Sequence, residues 1–99
     1  MATINVQNAP ERARYEALVG GELAGFAEYD EVGDRLIFTH TEVAPDFEGN
    51  GIGSALVRGA LDDVRTRGLR AVPVCTFMQG WLARHEGEYE DVVLDPAAS

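Results

Sequence analysis

The sequence predicts an α+β domain with elements in the order β-β-β-β-α-β-α. Three observations carry that prediction. Short β-favouring segments separated by turn signals fill the first half of the chain. At Gly51 the apolar spacing changes to a helical one, which lasts to about Arg67. A short β-favouring run and a second helical segment then close the pattern.

Ile4 and Val6 alternate with Asn5 and Gln7, a first strand ended by Asn8-Ala9-Pro10. Arg12 to Val19 reads as a second strand, although its Ala and Glu content also suits a helix. Gly20-Gly21 is a hairpin signal, and Glu22 to Tyr29 is the return strand. Asp30 to Asp34 is a turn. Arg35 to Ala44 is the clearest strand, because Ile37, Phe38, Thr39, Thr41 and Val43 all favour β structure. These four strands form an antiparallel meander. Ile52, Ala55, Leu56, Gly59, Ala60 and Val64 then recur at helical spacing, with Leu61 widening the stripe and Gly68 ending the helix. Leu69 to Val74 is the fifth strand and Phe77 to Arg84 a short helix. Tyr89 to Leu94 reads as a last turn or a short strand. A parallel crossover around the main helix joins strands four and five. With no repeat or linker, residues 1–99 read as a single minimal domain.

Composition bounds the function. The net charge of −9, from 17 acidic residues against eight arginines and no lysine, disfavours non-specific nucleic-acid binding. It suits a cationic acceptor such as an amine, and equally a plain solubility role. The lone cysteine, Cys75, excludes an internal disulfide and argues for a reducing compartment. Arg58 interrupts the longest apolar run, so no membrane span is expected, and residues 1–10 lack a secretory pattern. The expected location is cytoplasmic. No metal site is expected, and the oligomeric state is open.

The most informative stretch is Phe47-Glu48-Gly49-Asn50-Gly51-Ile52-Gly53-Ser54-Ala55. Alternating glycines between a strand and a helix allow close backbone approach, and a helix start offers unpaired N–H groups and partial positive charge. Together these suit a phosphate or pyrophosphate. A glycine-rich connection with no ligand is the plain alternative. A P-loop is excluded because Ser54-Ala55, not Lys-Ser/Thr, follows Gly53. The dinucleotide fingerprint is excluded because Ser54 and Leu56 stand where its last glycine would be. What remains resembles the acetyl-CoA loop Q/R-x-x-G-x-G/A of the GCN5-related N-acetyltransferases. Gly51 and Gly53 match its small positions, and Glu48 departs from its leading Gln/Arg. His40-Thr41-Glu42-Val43 and the Cys75…Trp81-Leu82…His85-x-x-Glu88-Tyr89 tail resemble a small subgroup of that superfamily, with Glu86-Gly87 where proline is usual. The resemblance covers about residues 10–94.

The resemblance implies a minimal acetyltransferase fold with a coenzyme A thioester across the end of strand four. The N–H groups of Asn50, Gly51, Ile52, Gly53 and Ser54 would hold its pyrophosphate, and side chains at Gly51 or Gly53 would obstruct it. The pantothenate arm would pair with the backbone of Glu42 and Val43. Arg58 could reach a phosphate, or form a salt bridge with Asp62 at i+4. Pro73 independently hints that strands four and five diverge there, a simple edge strand being the alternative. His40 and Glu42 alternate onto one face about 7 Å apart and could deprotonate an amine, or be half-exposed strand residues without a chemical role. Cys75 could be a transient acetyl carrier, could orient the thioester, or could be a small buried hydrophobe. Trp81 and Leu82 are expected to pack on the sheet. The expected function is acetyl-CoA-dependent transfer to a primary amine of unspecified identity. An acyl-CoA-binding or regulatory module without turnover is the alternative, and an interaction domain that binds no cofactor is a third.

Overall fold

The computed structural model describes residues 3–95. Four strands, β1 (Ile4–Ala9), β2 (Arg14–Val19), β3 (Glu22–Val32) and β4 (Arg35–Val43), form an antiparallel meander. Helix α1 (Ile52–Thr66) leads to β5 (Arg70–Pro73), which lies parallel to β4, and α2 (Thr76–Arg84) follows. The sheet order is β1-β2-β3-β4-β5. This is the α+β pattern expected from the sequence.

Most departures are at element ends. Residues Pro10–Arg12 form a 3-10 turn, and Ala13 adopts a left-handed φ of 51°, so β2 begins at Arg14. Strand β3 continues to Val32 because Asp30, Glu31 and Val32 pair with Ile37, Leu36 and Arg35, leaving Gly33-Asp34 as the turn. Gly20 and Gly21 make the β2–β3 turn at φ 58° and 84°. That conformation is natural to a two-residue hairpin and needs glycine. The tail combines both expectations: a turn at residues 89–92 precedes a parallel bridge from Val93 to Ala71.

Both helices pack on one face of the sheet. Helix α1 buries Ile52, Leu56, Val57, Ala60, Leu61 and Val64, and its end is closed by Gly68 N–H to Arg65 C=O and Leu69 N–H to Val64 C=O. Those two bonds satisfy carbonyls that the last turn leaves free. The helix lies close to β3 because Gly25 has no side chain. A Cβ there would sit 2.7 Å from the Glu42 carbonyl oxygen and 3.1 Å from Ile52 Cγ2. Tyr15, Leu36, Phe38, Met78 and Trp81 fill the remaining core.

The buried Tyr15 hydroxyl donates to Asp63 at 2.6 Å, and Arg67 donates to both. Burial, then the hydrogen bond and negative charge of Asp63, push the Tyr15 phenol well above its ordinary value. The folded state therefore keeps a proton that the unfolded chain releases near pH ~10. Stability from this group is complete below that pH and falls as pH rises toward the folded value. Denaturant titrations between pH 9 and 11 should show a loss approaching ~1.4 kcal/mol per pH unit for this group. Tyr15→Phe should flatten the slope, and an unchanged slope would contradict the assignment.

Candidate active site

Strands β4 and β5 part where the proline predicts. Their pairing runs from Arg35↔Arg70 to Phe38↔Pro73, and then the N–H groups of Val74 and Cys75 both donate to the Phe38 carbonyl, at 3.0 and 2.8 Å. Two successive donors on one acceptor turn the chain away from the ladder. At the same level β4 bulges: Tyr29 faces Phe38 and Glu28 faces His40, leaving Thr39 without an opposite residue. Bulges redirect the strand and its side chains. Beyond Phe38, the edge of β4 turned toward β5 has no strand partner among the described residues. The parted strands form a V with β4 backbone along one arm.

Pairing with β3 assigns the faces. Thr41 and Val43 oppose the buried Ala27 and Gly25, on the helix side. His40 and Glu42 oppose Glu28 and Phe26, on the face turned away from the helices. Both are more than half exposed, and His40 Nε2 lies 3.6 Å from Glu42 Oε1. Cys75 is on the other side. It is 6% exposed, directly precedes α2, and its thiol donates to Thr41 Oγ1 at 3.3 Å. The V thus brings Cys75 to Thr41, while the sheet separates it from His40 and Glu42.

The start of α1 bridges this V. Ile52 packs at Gly25 beside the Glu42 carbonyl, and a Cβ on Gly53 would collide with Phe77 of α2. A side chain at Gly53 would have to displace the exposed Phe77 ring, a second role for its small size beside ligand approach. Gly51 has nothing within 4 Å and a left-handed φ of 76°, and no side chain caps the helix. The first helical bond is Ala55 N–H to Gly51 C=O at 3.0 Å. The N–H groups of Ile52, Gly53 and Ser54 precede that ladder, as first-turn donors must.

Two expected binding groups are otherwise engaged. The Asn50 N–H donates to the Phe47 carbonyl at 3.3 Å, because the loop closes a turn before the helix begins. Asn50, one of the five expected phosphate donors, thus has its N–H bonded within the loop. Arg58 does not pair with Asp62: it donates to Glu88 Oε1 at 2.7 Å and lies over the Trp81 ring, 5.1 Å from its centroid. Asp62 instead accepts from Tyr89 at 2.9 Å. Trp81 packs against α1 and the tail, donating to Ser54 Oγ at 3.0 Å and stacking on His85 at 3.8 Å.

A cleft of about 250 Å³ opens beside Glu42, lined by Leu23, Gly25, Phe26, Val43, Ala44 and Pro45. Leu23 and Phe26 were not identifiable as site residues, since each reads as an ordinary strand hydrophobe. Thr41 carried a signal, its shared face with Val43. Glu88 carries a signal only within the tail motif. Among the described residues, no group of three or more His, Cys, Asp or Glu side chains could hold a metal ion. No helix among them is long and apolar enough to cross a membrane.

Residues 14–92 match the family model described as GCN5-related N-acetyl-transferase. The chain belongs to the GCN5-related N-acetyltransferase family. Streptothricin acetyltransferase from Streptomyces lavendulae is 41% identical over 64 residues, covering 63% of this chain and 34% of that protein. Protein NATD1 from Bos taurus is 40% identical over 52 residues, covering 52% of this chain and 46% of that protein. The matches thus span less than half the length of either relative. A GCN5-like protein from Staphylococcus aureus superposes with a TM-score of 0.70 at 20% identity, over 96% of this chain and 92% of that one. The Escherichia coli ribosomal-protein-S18-alanine N-acetyltransferase gives 0.56 at 21% identity, over 71% and 63%. At these identities the two structures speak to the fold.

Proposed function

We propose that the chain transfers an acetyl group from acetyl-CoA to a primary amine by direct attack. One observation carries this reading: the uncapped first turn of α1 lies between Glu42 and Phe77, over the place where β4 and β5 separate. That arrangement offers backbone N–H groups to a diphosphate and a free strand edge to an amide-bearing arm, the two parts of a coenzyme A thioester. Gly51, Ile52, Gly53 and Ser54 supply the donors, and charge-assisted bonds of this kind are stronger than neutral ones. Val43 lies on the free edge. Arg58 joins the phosphates only by leaving Glu88.

In the transfer, the amine nitrogen bonds to the acetyl carbonyl carbon, the carbon–sulfur bond breaks, and the thiolate leaves with coenzyme A. The amine proton passes to Glu42, which lines the cleft, with His40 beside it as the alternative acceptor. Cys75 is the less favoured carrier, because its thiol donates to a neutral hydroxyl and the two bases lie across the sheet. Intact mass after incubation with acetyl-CoA alone should therefore show no adduct. An adduct lost in Cys75→Ala would establish the carrier route. A cytoplasmic setting, read from the lone cysteine, belongs to the same proposal.

Coenzyme A should move the amide resonances of Gly51 through Ser54, and a thiol assay over an amine panel should show turnover. Gly51→Asp places a carboxylate among the donors. Loss of two charge-assisted bonds, at about 1.5 kcal/mol each, should weaken acetyl-CoA binding about 100-fold by calorimetry. Binding without thiol release would identify a non-catalytic acyl-CoA module. A folded protein that binds no coenzyme A would sink the proposal.

A further inference from the structure

Building on the acetyltransferase reading, we infer that the cleft beside Glu42 is the acceptor subsite. It selects a primary monoamine on a short apolar chain over a polyamine. The lining is almost wholly apolar: Leu23, Phe26, Val43, Ala44 and Pro45, with the bare backbone of Gly25. Glu42 is the one ionisable residue among those that line it. A cleft with apolar walls and a single anionic group matches a ligand with an apolar body and a single cationic end.

The surrounding charges sharpen the choice. Arg14, stacked over the Phe26 ring at 4.4 Å, already covers that aromatic face, and Glu16 holds its guanidinium at 2.8 Å. Phe26 therefore offers the ligand apolar surface rather than an unshared cation-binding face. Leu23, 42% exposed, stands on the wall without a charge. A diamine would set its second ammonium against Leu23 or Pro45, giving up water with no counter-charge. The space is about 250 Å³. A chain of a few carbons fits, and each methylene buried there should tighten binding about fourfold. The acidity of the whole chain favours cations in general; the cleft distinguishes among them.

The test compares n-pentylamine with 1,5-diaminopentane, which have equal chain lengths and differ by one terminal ammonium. Methyl-labelled protein is titrated with each amine in the presence of coenzyme A. n-Pentylamine should shift the Leu23 and Val43 methyls, and the diamine should bind at least about tenfold more weakly, since a factor of ten needs only ~1.4 kcal/mol. Leu23→Asp, a substitution at an exposed position, should reverse that order. Equal or tighter diamine binding in the wild type would overturn the inference, as would shifts that avoid both methyls. The two readings separate in the same spectra. Amides of Gly51 to Ser54 that ignore coenzyme A contradict the acetyltransferase reading. Amides that respond beside silent cleft methyls contradict the acceptor subsite alone.

Discussion

Glu42→Gln is expected to lower kcat for acetyl transfer about 10²- to 10⁴-fold, the range a positioned general base contributes. The amide keeps the size of the carboxylate but cannot accept the amine proton at neutral pH. It also loses the one charge among the residues that line the cleft, so KM for the amine should rise. Binding of acetyl-CoA should hold within about twofold, because strand β4 offers that ligand its backbone and not this side chain. His40→Gln is the necessary comparison, since His40 Nε2 lies 3.6 Å from Glu42 Oε1 on the same face. If Glu42 is the base, His40→Gln should cost about tenfold or less. A larger loss in His40→Gln than in Glu42→Gln would exchange their roles, and full activity in both would leave neither as the base.

The largest expected loss of stability follows Gly25→Val. A Cβ at this position would lie 2.7 Å from the Glu42 carbonyl oxygen, 3.1 Å from Ile52 Cγ2 and 3.2 Å from Leu56 Cδ1. The first obstacle is backbone inside a strand pair, which cannot rotate away as a side-chain tip can. Overpacking of this kind costs about 3 kcal/mol, a large share of a typical stability of about 5–15 kcal/mol. At roughly 4–8 °C per kcal/mol for a domain this small, Tm should fall by about 12–24 °C. Gly87→Ala is the control: Gly87 has φ 86° but nothing within 4 Å, so only backbone strain opposes the change. Similar melting of the two variants would show that the α1–β3 contact yields more readily than its distances imply. Because Ile52 opens α1, a surviving Gly25→Val protein should also bind acetyl-CoA more weakly.

Several features of the fold were legible because their causes are local. Alternation on β4 placed His40 and Glu42 on one face, since strand side chains point to opposite sides in turn. The helical stripe from Ile52 to Val64 located α1, although it omitted Val57, which is also buried. Pro73 marked where β4 and β5 diverge, because proline cannot donate to a ladder. Other features required neighbours distant in sequence. Asn50 looked free until the turn onto Phe47 took its N–H. Arg58 pairs with Glu88, 30 positions away, rather than with Asp62 one helical turn on. Phe77 packs over Gly53, and nothing near residue 53 in the sequence announces that.

The sequence by itself determined the order of elements, the glycine-rich entry to the helix, and the single face shared by two bases. Each depends on spacing along one strand or helix, which short-range geometry fixes. The tertiary structure alone decided that the helix start sits over the parted strands, that Cys75 meets Thr41 across the sheet from His40 and Glu42, and that a small apolar cleft adjoins Glu42. Those are distances between segments that come together only when the core closes, so no local pattern could encode them in readable form.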